Sequence, residues 1–157
     1  MSEIRRKQHR FAVMVATFIL WLNEQGYKIQ LGDAYRSTDK LAVPGGKEGF
    51  EDDDMYSYQE LLFYNQRTKI TFGKHNERLA IDLIIWKDEK ELKGEELRPV
   101  GEKWEGLGGR WGGRFGLKHV NGKWVNRDLQ EVIGWDSGHY EYNPTSTLTP
   151  PLIVTGK

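Results

Sequence analysis

Two short segments carry the residue types that hold catalytic metals. The first is Gly73-Lys-His75-Asn-Glu-Arg78-Leu-Ala80-Ile-Asp82, and the second is Asp136-Ser-Gly-His139-Tyr-Glu141. Asp82 interrupts an otherwise apolar run from Leu79 to Trp86. An unpaired charge buried in such a run is strongly unfavourable or is neutralised by protonation, so metal coordination or an ion pair is the economical resolution. Zinc used for catalysis takes three protein ligands from histidine and carboxylate and keeps one position open. His75, Asp82 and His139 supply that set. Asp136, three residues before His139, remains as a carboxylate able to take a proton from the attacking water and deliver it to a leaving amine. If the second segment is a strand, His139 and Glu141 project from one face, which places Glu141 to orient a ligand from behind.

Each residue alone has a plainer reading. A single histidine is ordinarily a hydrogen-bonded side chain, Asp82 fits an ion pair with a core arginine, and Asp136-Ser-Gly fits a turn. The conjunction favours the metal, because three ligand-type residues and a spare carboxylate fall in the segments least tolerant of unpaired charge. His119, beside Asn121-Gly122, reads as a surface hairpin residue, and His9 belongs to a basic N-terminal turn; both are left outside the site. Arg36 closes the predicted strand Tyr27 to Tyr35. A fixed guanidinium there can stabilise an oxyanion or clamp a carboxylate, or simply pair with Asp33 or the acidic loop that follows.

The elements that must position these residues belong to one domain, since 157 residues suffice for one hydrophobic core and are short for two. Hydrophobic residues at 38% and aromatics at 12%, spread along the chain, indicate a folded protein. A formal net charge of zero argues against a protein devoted to neutralising nucleic-acid phosphates. The chain has no cysteine, so thiolate sites are excluded and zinc must be held by histidine and carboxylate.

Arg5 to Arg10 is basic and precedes the uncharged stretch Phe11 to Leu22, a superficial likeness to a signal peptide that leaves export as the alternative. No small-x-small cleavage site follows, and Phe11, Met14, Val15, Phe18, Ile19 and Leu22 fall at helical spacing, ending near Gly26. The stretch is too short to span a bilayer, which takes roughly 20 apolar residues. The expectation is a core-packed helix, no stable membrane insertion and synthesis in the cytoplasm.

Further along, residues 38 to 54 carry Pro44-Gly-Gly and an acidic cluster and read as a surface loop. Tyr56 to Gln66 has helical spacing, 87 to 94 is a charged turn, and Val100 to Leu107 is a short helix. The run from Gly108 to Gly116 lacks the ending of a phosphate loop and reads as close backbone approach at a turn beside a cleft. Residues 144 to 157 read as a strap or tail around a core of about 5 to 143.

These residues resemble the zinc D-alanyl-D-alanine carboxypeptidases and L-alanyl-D-glutamate endopeptidases of peptidoglycan, which share a fold with the hedgehog signalling domain. That family's first signature is Ser-x-His-x-x-Gly-x-Ala-x-Asp; here His75, Ala80 and Asp82 stand in register, with Gly73 replacing the serine and Arg78 the glycine. Its second signature, an acidic residue shortly before a histidine and commonly a glutamate after it, is similar to Asp136, His139 and Glu141. Tyr35-Arg36-Ser37 resembles its strand-end arginine, and Trp111-Gly-Gly113 the Trp-Gly-Gly before its last ligand. The resemblance implies an α+β domain with a small, mainly antiparallel sheet packed with helices. It implies one zinc ion on His75, Asp82 and His139, Asp136 as general base and acid, Arg36 at the oxyanion, and Trp111 near the substrate. Phage lytic enzymes of this family are similarly short. The expected function is therefore hydrolysis of peptidoglycan stem peptides by a monomer of the endolysin type, acting on the wall after release from the host cytoplasm. The alternatives are a zinc-stabilised binding module on the same scaffold and a wall-binding or nucleic-acid-binding domain using the Gly108 to Gly116 run.

Overall fold

Helix α1 (Glu3–Glu24) forms where the spacing predicts it, with Phe11, Met14, Phe18 and Leu22 buried along one stripe. The chain leaves the helix at Gly26, whose φ of +79° is the left-handed conformation that glycine adopts without strain. The computed structural model describes residues 1–35, 41–42, 55–56 and 73–146, the two short internal stretches by their backbone. Arg36, the predicted helix beyond Tyr56, most of the 38 to 54 loop and the tail beyond residue 146 lie outside the described residues.

Strand β1 (Lys28–Leu31) is shorter than the predicted Tyr27 to Tyr35. Two brief strands, β2 (Leu41–Ala42) and β3 (Met55–Tyr56), pair antiparallel, so the predicted loop and the predicted helix each give up residues to a hairpin. Strand β4 (Ala80–Lys87) is the centre of the main sheet and is followed by the short β5 (Lys90–Glu91). A 3-10 turn (Gly94–Leu97) leads into helix α2 (Arg98–Gly106), with Pro99 in its first turn, where a missing N–H costs nothing. Strand β6 (Gly109–Trp111), a second 3-10 turn (Gly112–Arg114), the hairpin β7 (Lys118–Val120) to β8 (Lys123–Val125) and strand β9 (His139–Tyr142) complete the described elements. The hairpin turns through Asn121 and Gly122, both at positive φ, as a two-residue primed turn requires.

The main sheet runs β1-β4-β9-β6 with β5 on the end of β4, and every pairing is antiparallel. Its faces divide the labour. Ile81, Leu83 and Ile85 of β4, Tyr140 and Tyr142 of β9 and Trp111 of β6 are buried in one cluster with Phe11, Phe18 and Trp104 of the helices. Trp104 anchors it, with Phe18 at 5.1 Å, Phe11 at 5.9 Å and Tyr140 at 6.0 Å between ring centroids. The alternate residues Asp82, His139, Glu141 and Arg110 fall on the opposite face, because side chains alternate along a strand.

The glycine-rich run is an adaptation to the two indoles. A Cβ at Gly109 would lie 2.0 Å from Trp104, and one at Gly101 or Gly113 would lie 2.0 or 2.3 Å from Trp111. Arg114 of the same run pairs with Glu105 at 3.1 Å. The close-approach reading holds. Among the described residues no helix is long and apolar enough to cross a membrane.

Candidate metal centre

Asp82 and His139 are register partners on adjacent antiparallel strands. Asp82 spends its backbone groups on the far side, donating N–H to the Asp33 carbonyl and accepting from Gly32 N–H. The Asp82 and His139 pair is therefore of the non-hydrogen-bonded kind, in which opposite side chains stand closest. His75 arrives from a tight turn over 74–78, closed by Leu79 N–H to the Lys74 carbonyl at 2.9 Å.

Three atoms converge. His75 Nε2 lies 3.2 Å from Asp82 Oδ1 and 3.2 Å from His139 Nδ1, and His139 Nδ1 lies 2.9 Å from Asp82 Oδ1. Ligands of a tetrahedral ion bound at about 2.0 to 2.1 Å sit about 3.3 Å apart, so the triangle has the size of one tetrahedral face. Both histidines are buried and Asp82 is partly open.

Glu141 decides which His139 nitrogen points into the triangle. Its Oε2 lies 2.9 Å from His139 Nε2, and both side chains are 8% exposed. A carboxylate only accepts, so Nε2 carries the proton and Nδ1 of the neutral ring presents a lone pair. That lone pair faces a second acceptor, Asp82 Oδ1, and the contact requires a proton or a cation between them. His75 adds a third acceptor at Nε2, while its Nδ1 is buried with no hydrogen-bond partner among the described residues. These three residues fit a metal ion: it would satisfy three converging acceptors at once.

In the protein alone, a proton fills that role. Burial works against charge on His139, but hydrogen bonds to Asp82 and Glu141, with the charges of Asp82 and Asp136, outweigh it and push the pKa up to about 9. Burial likewise raises the Asp82 pKa, yet the hydrogen bonds from His139 and His75 prevail and hold it well below the usual carboxylate range. A raised histidine pKa stabilises the fold fully below its unfolded value and is lost as pH climbs through the folded one. A depressed carboxylate pKa stabilises above its unfolded value and is lost in acid. Metal-free protein is thus expected to be most stable between about pH 4 and 6.5 and to lose on the order of 2 to 3 kcal/mol by pH 9. Denaturant midpoints measured in chelator across that range check this. Metal takes Nδ1 in place of the proton, so its affinity is expected to rise with pH over the same window.

Asp136 stands outside the triangle but lines the same cavity as Asp82, a space of about 300 Å³ bordered also by Leu83, Ser137 and Gly138. Its loop is tied down by backbone contacts: the Asp136 carbonyl accepts from His139 N–H at 3.1 Å, and the Gly138 carbonyl accepts from Leu83 N–H at 2.9 Å. Trp111, expected near the substrate, is instead fully buried and donates its indole N–H to the Ser137 carbonyl at 2.8 Å. It meets the helices rather than a ligand, because its side chain leaves β6 on the core face.

Gly112 backs onto this loop. A Cβ there would lie 2.1 Å from the Asp136 carbonyl oxygen and 2.9 Å from His139 Cβ. Gly112→Ala is expected to cost about 2 kcal/mol or more, read as a lowered denaturant midpoint, and to weaken metal binding by displacing both segments.

Arg110 is the member that sequence reasoning missed. Its guanidinium lies 3.2 Å from Glu141 Oε1, across the β6 to β9 pairing that sets the two opposite each other. Trp104 closes the same strands, its indole N–H shared between the Arg110 and Glu141 carbonyls. No local signal marks Arg110; only the strand register reveals it. No protein-family model, curated protein or solved structure matches the chain.

Proposed function

We propose that the chain is a zinc peptidase that hydrolyses peptidoglycan stem peptides, of the short phage endolysin kind and of the hedgehog and DD-peptidase type of fold. The observation that carries the reading is the triangle of His75 Nε2, His139 Nδ1 and Asp82 Oδ1 with a further carboxylate, Asp136, on the cavity that Asp82 lines. A purely structural metal has no use for that fourth group. Held by these three residues, zinc supplies a Lewis acid for the scissile carbonyl and acidifies water. Asp136 takes the proton of the attacking water and passes it to the leaving amine. Glu141 keeps the His139 proton on Nε2 and so keeps Nδ1 available as a ligand. Arg36, outside the described residues, is assigned to the developing oxyanion on the strength of the resemblance alone.

Arg78 adds support. It stands where the resembled signature has glycine, and it takes φ +59°, the left-handed backbone that glycine prefers, with its guanidinium 4.4 Å from the Tyr35 ring centroid. The departure in sequence therefore leaves the turn that carries His75 compatible with the motif.

Digestion of purified peptidoglycan tests the reading, with chelator, zinc add-back and mass spectrometry of the products. The expected result is zinc-dependent cleavage, with single D-alanine identifying a carboxypeptidase and new internal amino ends an endopeptidase. Intact substrate after treatment with folded, zinc-loaded protein would instead favour a zinc-stabilised binding module.

A further inference from the structure

Beside the ligand triangle lies a surface that no step of the proposed hydrolysis uses. Phe115 sets its ring 5.4 Å from that of His139, and it is met in turn by Trp135 at 5.7 Å and by the Arg110 guanidinium at 4.9 Å. Trp135 immediately precedes Asp136 and is 67% exposed, while the Arg110 side chain is 60% exposed. The two ring steps place the indole within about three residues of the metal ligands for an extended peptide rising about 3.3 to 3.6 Å per residue.

We infer that Trp135, Phe115 and Arg110 form a substrate subsite for an acidic residue of the peptide flanking the scissile bond. The inference rests on the peptidase reading and deepens it. The exposed part of the indole is apolar surface that an aliphatic portion of the peptide can cover. The guanidinium contacts Glu141 through one nitrogen, and the planar fork suits a carboxylate. An aliphatic side chain ending in a carboxylate matches both halves. The Arg110 cation sets the register in which an acidic residue is accepted.

Two synthetic stem peptides test the subsite, identical except that the glutamyl carboxylate is free in one and amidated in the other. They are titrated into zinc-loaded Asp136→Asn protein, in which the proposed base is absent. The free carboxylate is expected to bind about tenfold more tightly, Trp135→Ala to weaken both peptides about tenfold, and Arg110→Gln to erase the difference between them. Equal affinity for the two peptides, or undiminished binding by a folded Trp135→Ala variant that retains its zinc, overturns the subsite. Hydrolysis of the same peptides by the parent protein separates the two ideas. Binding with the expected dependence but no cleavage sinks the peptidase reading and leaves the subsite standing. Cleavage indifferent to Trp135 and to amidation sinks the subsite alone.

Discussion

Replacing Asp136 with asparagine is expected to leave one metal ion bound and to slow the proposed hydrolysis by roughly 10²- to 10⁴-fold, the range that a positioned acid or base contributes. The loop supporting Asp136 is held through main-chain groups, the Asp136 carbonyl to His139 N–H and the Ser137 carbonyl to the Trp111 indole. An isosteric amide therefore keeps the turn, while the carboxylate charge and its capacity to accept a proton are lost. Metal analysis of the purified variant and kcat on a stem peptide check the two halves together. Full activity with zinc retained would remove Asp136 from the mechanism.

Replacing His139 with alanine is expected to act one stage earlier, by abolishing stoichiometric metal binding. His139 Nδ1 is one corner of a triangle whose other corners are a single nitrogen and a single oxygen. Two remaining ligands should fall short by more than the roughly 10- to 100-fold that loss of an outer partner costs. The metal-free fold should weaken as well. His139 links Asp82 to the buried Glu141, and removing the shared cation of a buried pair costs about 3 to 5 kcal/mol. Arg110 still faces Glu141, so the lower end of that range is expected. Chelator-competition affinity and a denaturant midpoint measured without metal read the two effects separately. His139→Ala protein that still binds one zinc tightly would exclude the triangle as the metal site.

Much of the candidate site was legible because its signals are local. A carboxylate inside the apolar run Leu79 to Trp86, seven residues after His75, needs no tertiary information to look out of place. The period of 3.6 residues through Phe11, Met14, Phe18 and Leu22 likewise announces α1, and those four are buried together with Thr17, while Val15 and Ile19 of the same pattern are half-buried. The Glu141 expectation needed only the alternation of a strand, and β9 supplies it. Reading failed where a residue's partner is remote. Trp111 stands inside a glycine-rich run and is expected near the substrate, yet Gly101 of α2 and Gly113 close over it and make it core. Arg110 looks like part of a loose glycine-rich run, but it is a strand residue facing Glu141, 31 positions later.

The sequence by itself determined which side chains can ligate a metal, the absence of thiolate chemistry and the helix that packs one side of the core, because composition and short-range periodicity are properties of neighbouring residues. The antiparallel registers of β4, β9 and β6 decided the rest. They set Asp82 opposite His139 and Arg110 opposite Glu141, and they sent Trp111 to the other face. Register follows from which apolar faces must be buried together, and that choice is made between segments far apart in the chain.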